Sequence, residues 1–138
     1  MDWLAYALLS AAAAAATAIL AKIGVEGLPS TLATALRTIV VALFAWALVL
    51  LFGEHRALAH ASRRSLLFLG LSGIATGISW LAYFRALQLG AASRVAPIDK
   101  LSLPMTIVLA VLLLGEPVGW RISVGVALMT VGALMTLT

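Results

Sequence analysis

The run TLATALRTIVVALFAWALVLLF, Thr31–Phe52, carries a single charged residue, Arg37, in 22 positions. A helix rises 1.5 Å per residue and the hydrocarbon core of a bilayer is about 30 Å thick, so roughly 20 mostly apolar residues cross it. The run therefore reads as a transmembrane helix with Arg37 about two turns inside it. An ionisable side chain deep in a bilayer costs at least about 2.5 to 3.5 kcal/mol on insertion scales and is usually functional. The same cost bears on Asp99 and Lys100 further along the chain if they sit that deep, and what that pair is doing is the sharpest functional question the sequence poses.

Working outward from this run, the chain divides into five spans at about Trp3–Ile23, Thr31–Phe52, Ser65–Leu89, Val95 or Pro97 to Leu114, and Val118–Leu137. The connections GVEGLPS, GEHRALAHASRR, GAASR and GEP contain the Gly, Pro and Ser that stop helices and form turns. Neighbouring spans should accordingly pack antiparallel. The predicted fold is all-α, a polytopic membrane protein with one five-helix unit over residues 1–138 and no room for a soluble domain. Composition agrees, with 64% apolar and 10% charged residues. The opening MDW supplies an acid and no base, so the first span reads as a retained helix, not a cleaved signal peptide.

Several chemistries drop out. There is no Cys, which removes disulfides, thiolate metal sites and cysteine nucleophiles. His55 and His60 share a loop without a spaced acid or third ligand, so no metal site is expected. No Ser has a His and Asp context, and no phosphate-binding glycine loop occurs. An enzyme, a catalytic residue and a cofactor are therefore not expected. The net charge of +4 comes from bases in or beside short loops, which read as topology signals and not as a nucleic-acid surface. Arg56, Arg63, Arg64 and Arg121 fall on one side, and Lys22, Arg37, Arg85, Arg94 and Lys100 on the other, a split of four against five. Loop charges alone would put the arginine-bearing second loop in the cytoplasm.

In the third span Ser72, Thr76, Ser79 and Tyr83 recur at steps of four, three and four, on one face of a helix, with Trp80 beside them. Two readings stand. The face is a packing surface, where hydroxyls and the nearby Gly70, Gly73 and Gly77 permit close helix approach, or it is a wall facing a substrate, where Trp80 and Tyr83 stack on or hydrogen-bond a ligand. The alanine run SAAAAAATA, Ser10–Ala18, reads as a packing surface. The Gly125 and Gly132 face of the last span reads the same way, within the chain or between chains.

The stretch APIDKLSLP sets Asp99 and Lys100 between Pro97 and Pro104. Adjacent residues on a helix point about 100° apart, which argues against a mutual pair and predicts a partner for Asp99 on another helix, Arg37 or Arg85. The alternative makes Pro97 the first helical residue, with Asp99 in the first turn at the positive helix end and Lys100 snorkelling to water. Both hold if a helix end opens onto a polar vestibule.

The order of these motifs resembles one EamA-type domain of the drug/metabolite transporter superfamily. The resemblance rests on LAKIGVEGLPSTLATALRTIVVALF with Lys22 and Arg37, on YFRALQLGAASRVAPIDKLS, and on LLLGEPVGWR with Glu116, and it covers almost the whole chain. Larger members have ten helices in two inverted five-helix units around a substrate pathway, so the resemblance implies a half-size transporter. It implies export or exchange of a small polar metabolite or drug by alternating access. The four-helix small multidrug-resistance relatives use an acid in mid first helix to exchange protons for cations. This first span has none.

The expected pathway residues are Arg37, Ser72, Thr76, Ser79, Trp80, Tyr83, Arg85, Asp99 and Lys100, with Lys22, Pro97, Pro104 and Glu116 at helix ends. Three embedded bases against Asp99 suggest an anionic or zwitterionic substrate. The expected setting is the inner (cytoplasmic) membrane, with the lipid bilayer and a small-molecule substrate as partners. Two inverted copies forming an antiparallel homodimer would supply the missing half. The rival readings are a membrane scaffold or accessory subunit that transports nothing, marked by a dry packed interior, and a translocator of an anionic lipid, marked by lateral opening near Arg37 and Arg85.

Overall fold

The computed structural model describes residues 2–137, and every regular element in them is helical. The elements are α1 (Asp2–Gly24), α2 (Ser30–Leu51), a 3₁₀ segment (Glu54–His60), α3 (Arg63–Leu89), α4 (Ala92–Asp99), α5 (Ser102–Leu109) with a wide π-type turn after it (Ala110–Leu114), and α6 (Trp120–Met135). A helix satisfies its backbone donors and acceptors within one segment, which is what hydrocarbon demands. α1, α2, α3 and the composite segment Ala92–Leu114 are each long and apolar enough to cross a membrane. α6 has 16 residues, a rise of about 24 Å, shorter than the other four. The all-α expectation is met, and the five spans become four long apolar helices and one shorter one.

Helix ends follow local chemistry. Ser62 starts α3, its Oγ accepting the Ser65 N–H at 3.0 Å as an N-cap does. Gly53 closes α2 with φ of 70°, and Gly115 ends the π-type turn with φ of 68°. That left-handed backbone is strained for any residue with a Cβ.

The fourth segment is not one unbroken helix. Pro104 has no N–H to give the Lys100 carbonyl, and its ring would strike that carbonyl if the helix ran through. The chain responds with tighter turns: Lys100 N–H reaches Pro97 O at 3.1 Å, Leu101 N–H reaches Ile98 O at 3.0 Å, and Leu103 N–H reaches Lys100 O at 2.9 Å. Pro104 then sits in the first turn of α5, where a missing N–H leaves nothing unpaired. Pro97 lies inside α4, not at its start, so Asp99 is the last residue of that helix. The expectation that Pro97 opens the helix and puts Asp99 at its positive end is thereby corrected. Asp99 sits at the negative end, where the adjacent Lys100 is the favourable charge.

Backbone proximity groups the described residues into two units. In the unit Leu20–Gln88, the end of α1, the start of α2 and the end of α3 meet, and Val25, Ala33, Thr34, Phe84 and Leu87 are buried there. Two polar ties hold this junction. The Lys22 Nζ donates to the carbonyl of Leu87, a residue with 0% exposure. Gln88 Nε2 donates to Leu28 O at 2.6 Å. The last carbonyls of a helix lack intrahelical partners and carry the negative end of its dipole, so an ammonium suits Leu87 twice over. In the other unit α6 packs against α4 and α5 and buries Ala133.

A charged donor to a carbonyl contributes about 1.5 to 3 kcal/mol. Replacing Lys22 with Met should destabilise the detergent-solubilised chain by about 2 kcal/mol, read as a lowered unfolding temperature. Replacing Lys100, whose ion pair is half exposed, should lower stability by less than about 1 kcal/mol. Equal effects would mean that the Lys22 tie is not holding the junction.

Candidate functional site

Arg37 stands on α2 one turn beyond the buried Ala33 and Thr34, about 10 Å along the helix axis from Ser30. α3 presents Trp80, Phe84 and Leu87 at steps of four and three, so these three share a face. The ties at Leu87 and Gln88 fix where that face begins. The Arg37 guanidinium carbon lies over the Trp80 ring at 4.1 Å from its centroid and 5.4 Å from that of Phe84. The Tyr83 ring centroid is 6.5 Å from that of Phe84. The sequence-predicted residues Arg37 and Trp80 therefore come together, with Tyr83 one ring away beside Phe84.

The magnitudes explain why an arginine persists here. A desolvated cation over an aromatic face gains about 2 kcal/mol or more, against an insertion cost of about 2.5 to 3.5 kcal/mol. The rings offset most of the cost without supplying a counter-charge. Among the described residues no carboxylate pairs with Arg37. Thr34 and Thr38 are nearby in sequence, but their hydroxyls donate to Ser30 O and Thr34 O of their own helix, each at 2.8 Å.

Arg85 points elsewhere. Its Nη1 donates to Gln88 Oε1 at 3.2 Å, one turn along α3. Asp99 pairs with Lys100, Nζ to Oδ2 at 3.4 Å, with the Lys100 and Asp99 side chains 54% and 38% exposed respectively. Asp99 thus makes the neighbour pair that helical geometry argued against. The 100° separation applies inside an unbroken helix. Lys100 lies in the turn between α4 and α5, from which its long stem folds back to Asp99.

Ser72, Thr76 and Ser79 are exposed, while Trp80 and Tyr83 are half-buried. The Thr76 hydroxyl donates to Ser72 O at 2.9 Å. A Cβ added at Gly70, Gly73 or Gly77 would meet nothing within 4 Å, so among the described residues no helix uses those glycines for close approach. The same holds at Gly125 and Gly132. Glu116 is exposed in the turn after Gly115, where its backbone N–H bonds Ala110 O at 3.3 Å. His55 and His60 lie exposed in the 3₁₀ segment, and no group of three metal-ligating residues occurs among the described residues. Phe84 and Gln88 join the site without a signal of their own in the sequence, although Phe84 falls one turn from Trp80 and Gln88 one turn from Arg85.

Long apolar helices carrying one embedded, ring-stacked base define a multi-pass membrane protein. The chain belongs to the EamA-like transporter family, which it matches over residues 1–138. It is 50% identical over 134 residues to a protein from Sinorhizobium sp described as "Uncharacterized transporter in cobO 3'region", covering 97% of this chain and 95% of that relative. No solved structure matches it. Family and relative together make the chain a membrane transporter, not an enzyme.

The Cys-free background permits a direct test of the α3 stripe. Single cysteines at residues 70 to 84 in membranes should react with a water-soluble maleimide with a period of three to four residues. The maxima should fall at Ser72, Thr76 and Ser79. Uniformly absent labelling would assign the stripe to lipid or to dry packing.

Proposed function

We propose that the chain is a half-size transporter that exports or exchanges a small polar metabolite or drug by alternating access, working as an antiparallel homodimer in the inner (cytoplasmic) membrane. The observation that carries the reading is Arg37, a charge kept inside a span on an aromatic wall, in a member of a transporter family. An embedded base without a carboxylate partner suits a pathway better than an inert interior. The pathway also takes in the exposed Ser72, Thr76, Ser79 face, with Trp80 and Tyr83 at its end. Asp99 and Lys100, beside the break between α4 and α5, form a second polar point, in keeping with broken helices at transporter sites. Arg85 is a positioning residue acting through Gln88.

The homodimer reading draws on two further facts. Bases divide four against five between the sides, which gives the insertion machinery little reason to prefer one orientation. Among the described residues nothing lies within 4 Å of a Cβ added at the glycines of α3 or of α6, and such faces suit close helix approach between copies. Two oppositely inserted copies would place a two-fold axis in the membrane plane, and exchange of their conformations would alternate access.

A C-terminal reporter separates the possibilities. Dual topology should give signal from both sides of the membrane at comparable levels. Signal from one side alone would remove the antiparallel homodimer while leaving transport open. Transport is read separately, with the purified chain in vesicles and a panel of labelled metabolites: uptake of at least one compound is expected, and a flat panel would favour a scaffold.

A further inference from the structure

We propose that Arg37 is an oxyanion receptor, and that the transported compound carries a carboxylate or phosphate group which it binds. This rests on the transporter reading above and names the substrate class of the same site.

A guanidinium is planar, with five N–H donors in its plane. Ring contact occupies its face, and the donors lie at its edge. The structure stacks Arg37 over Trp80 at 4.1 Å and beside Phe84 at 5.4 Å, and among the described residues no ion pair or hydrogen bond engages those donors. The other embedded bases are engaged differently: Lys22 on the Leu87 carbonyl, Arg85 on Gln88, and Lys100 on Asp99. Arg37 is half-buried, and among the described residues no buried side-chain nitrogen or oxygen lacks a partner, so its unengaged donors are open to an arriving oxyanion. A carboxylate or phosphate matches the fork with two parallel bonds.

Open space lies along α3 beside Trp80. Gly77 and Gly73 lie one and two turns from Trp80 toward the middle of α3, with a Cβ at either meeting nothing within 4 Å. Gly73 shares the helix face of Trp80 and Phe84. A ligand held by its oxyanion at Arg37 can lay its remaining atoms along this open face. The Trp80 and Phe84 rings hold the guanidinium in place, so binding orders little that is not already ordered. Low surrounding dielectric strengthens the pairing compared with water.

The test uses the full chain with Trp3, Trp46 and Trp120 replaced by Phe, which leaves Trp80 as the reporter, in phosphatidylcholine vesicles. Benzoate and phenyl phosphate are titrated against benzylamine and benzyl alcohol. The oxyanions should change Trp80 emission saturably, at least about tenfold tighter than benzyl alcohol. The Arg37→Lys change keeps the charge but loses the fork, and should weaken benzoate about tenfold with benzyl alcohol unaffected. Arg37→Gln should abolish the response, and if that variant does not fold, Arg37→Lys decides. Equal binding of benzoate and benzyl alcohol, or benzoate binding unchanged in Arg37→Lys, overturns the proposal. Replacing part of the phosphatidylcholine with phosphatidylglycerol separates the two sources of oxyanion: an Arg37-dependent change that blocks benzoate means a lipid headgroup occupies the site. Benzoate binding at Arg37 without uptake of any solute would uphold the receptor and remove transport. Solute uptake indifferent to charge and to Arg37→Lys would do the reverse.

Discussion

The Lys22 ammonium on the Leu87 carbonyl is the contact on which the Leu20–Gln88 unit depends. α3 ends in carbonyls that its own backbone cannot satisfy, and Leu87 is fully buried, so water cannot serve its carbonyl. Lys22, from the last turn of α1, does. Gln88, one residue on, takes the loop carbonyl of Leu28 just before α2 begins. Three elements are thereby pinned at one level. Because helical rise is fixed, pinning the ends also sets depth along the helices: two turns into α2 stands Arg37, two turns back along α3 stands Trp80, and the two meet. The stacking is a consequence of the register that the junction sets.

That register separates charges by task. Lys22 and Arg85 serve backbone and side-chain amide partners close to the junction, and Lys100 serves Asp99 at the break between α4 and α5. Ring faces are what meet Arg37. A ring stabilises a cation without neutralising it, whereas a carboxylate would neutralise it and hold it fast. A pathway that must bind and then release a charged compound needs the first arrangement: an intramolecular carboxylate would compete with every anion that arrived, at an effective concentration that no solute reaches.

The fold is legible in the sequence because hydrocarbon thickness translates into residue count, and a run of the length and apolarity of Thr31–Phe52 fits a bilayer far better than the interior of a small soluble domain. Arg37 is legible for the same reason, as a charge conspicuous against its surroundings. Trp80 and Tyr83 are legible through helical period. What escapes is anything whose partner is backbone. Leu87 contributes a carbonyl, and no side-chain pattern announces that its neighbour in space is Lys22. Gln88 and Phe84 are hidden by ordinary composition, since an apolar ring and an amide near a helix end attract no notice until the neighbouring helix is in place. Asp99 misleads for a different reason: the rule of 100° per residue holds only within a continuous helix, and Pro104 stops the helix to which the rule applies.

Burial in the Leu20–Gln88 unit is concentrated at the clasped end, and Arg37 itself is only half-buried. A ring-stacked base gains most when water is kept away, and a bilayer supplies that only where lipid tails, and not an aqueous vestibule, cover it. Lipid alone leaves no route for a polar solute. In the proposed homodimer a second copy laid against the glycine face of α3 would bear on both conditions, shielding Arg37 while leaving a route lined by hydroxyls and rings. That one proposed wall would answer both the half-burial of Arg37 and the openness of the α3 glycines is what ties the dimer reading to the site.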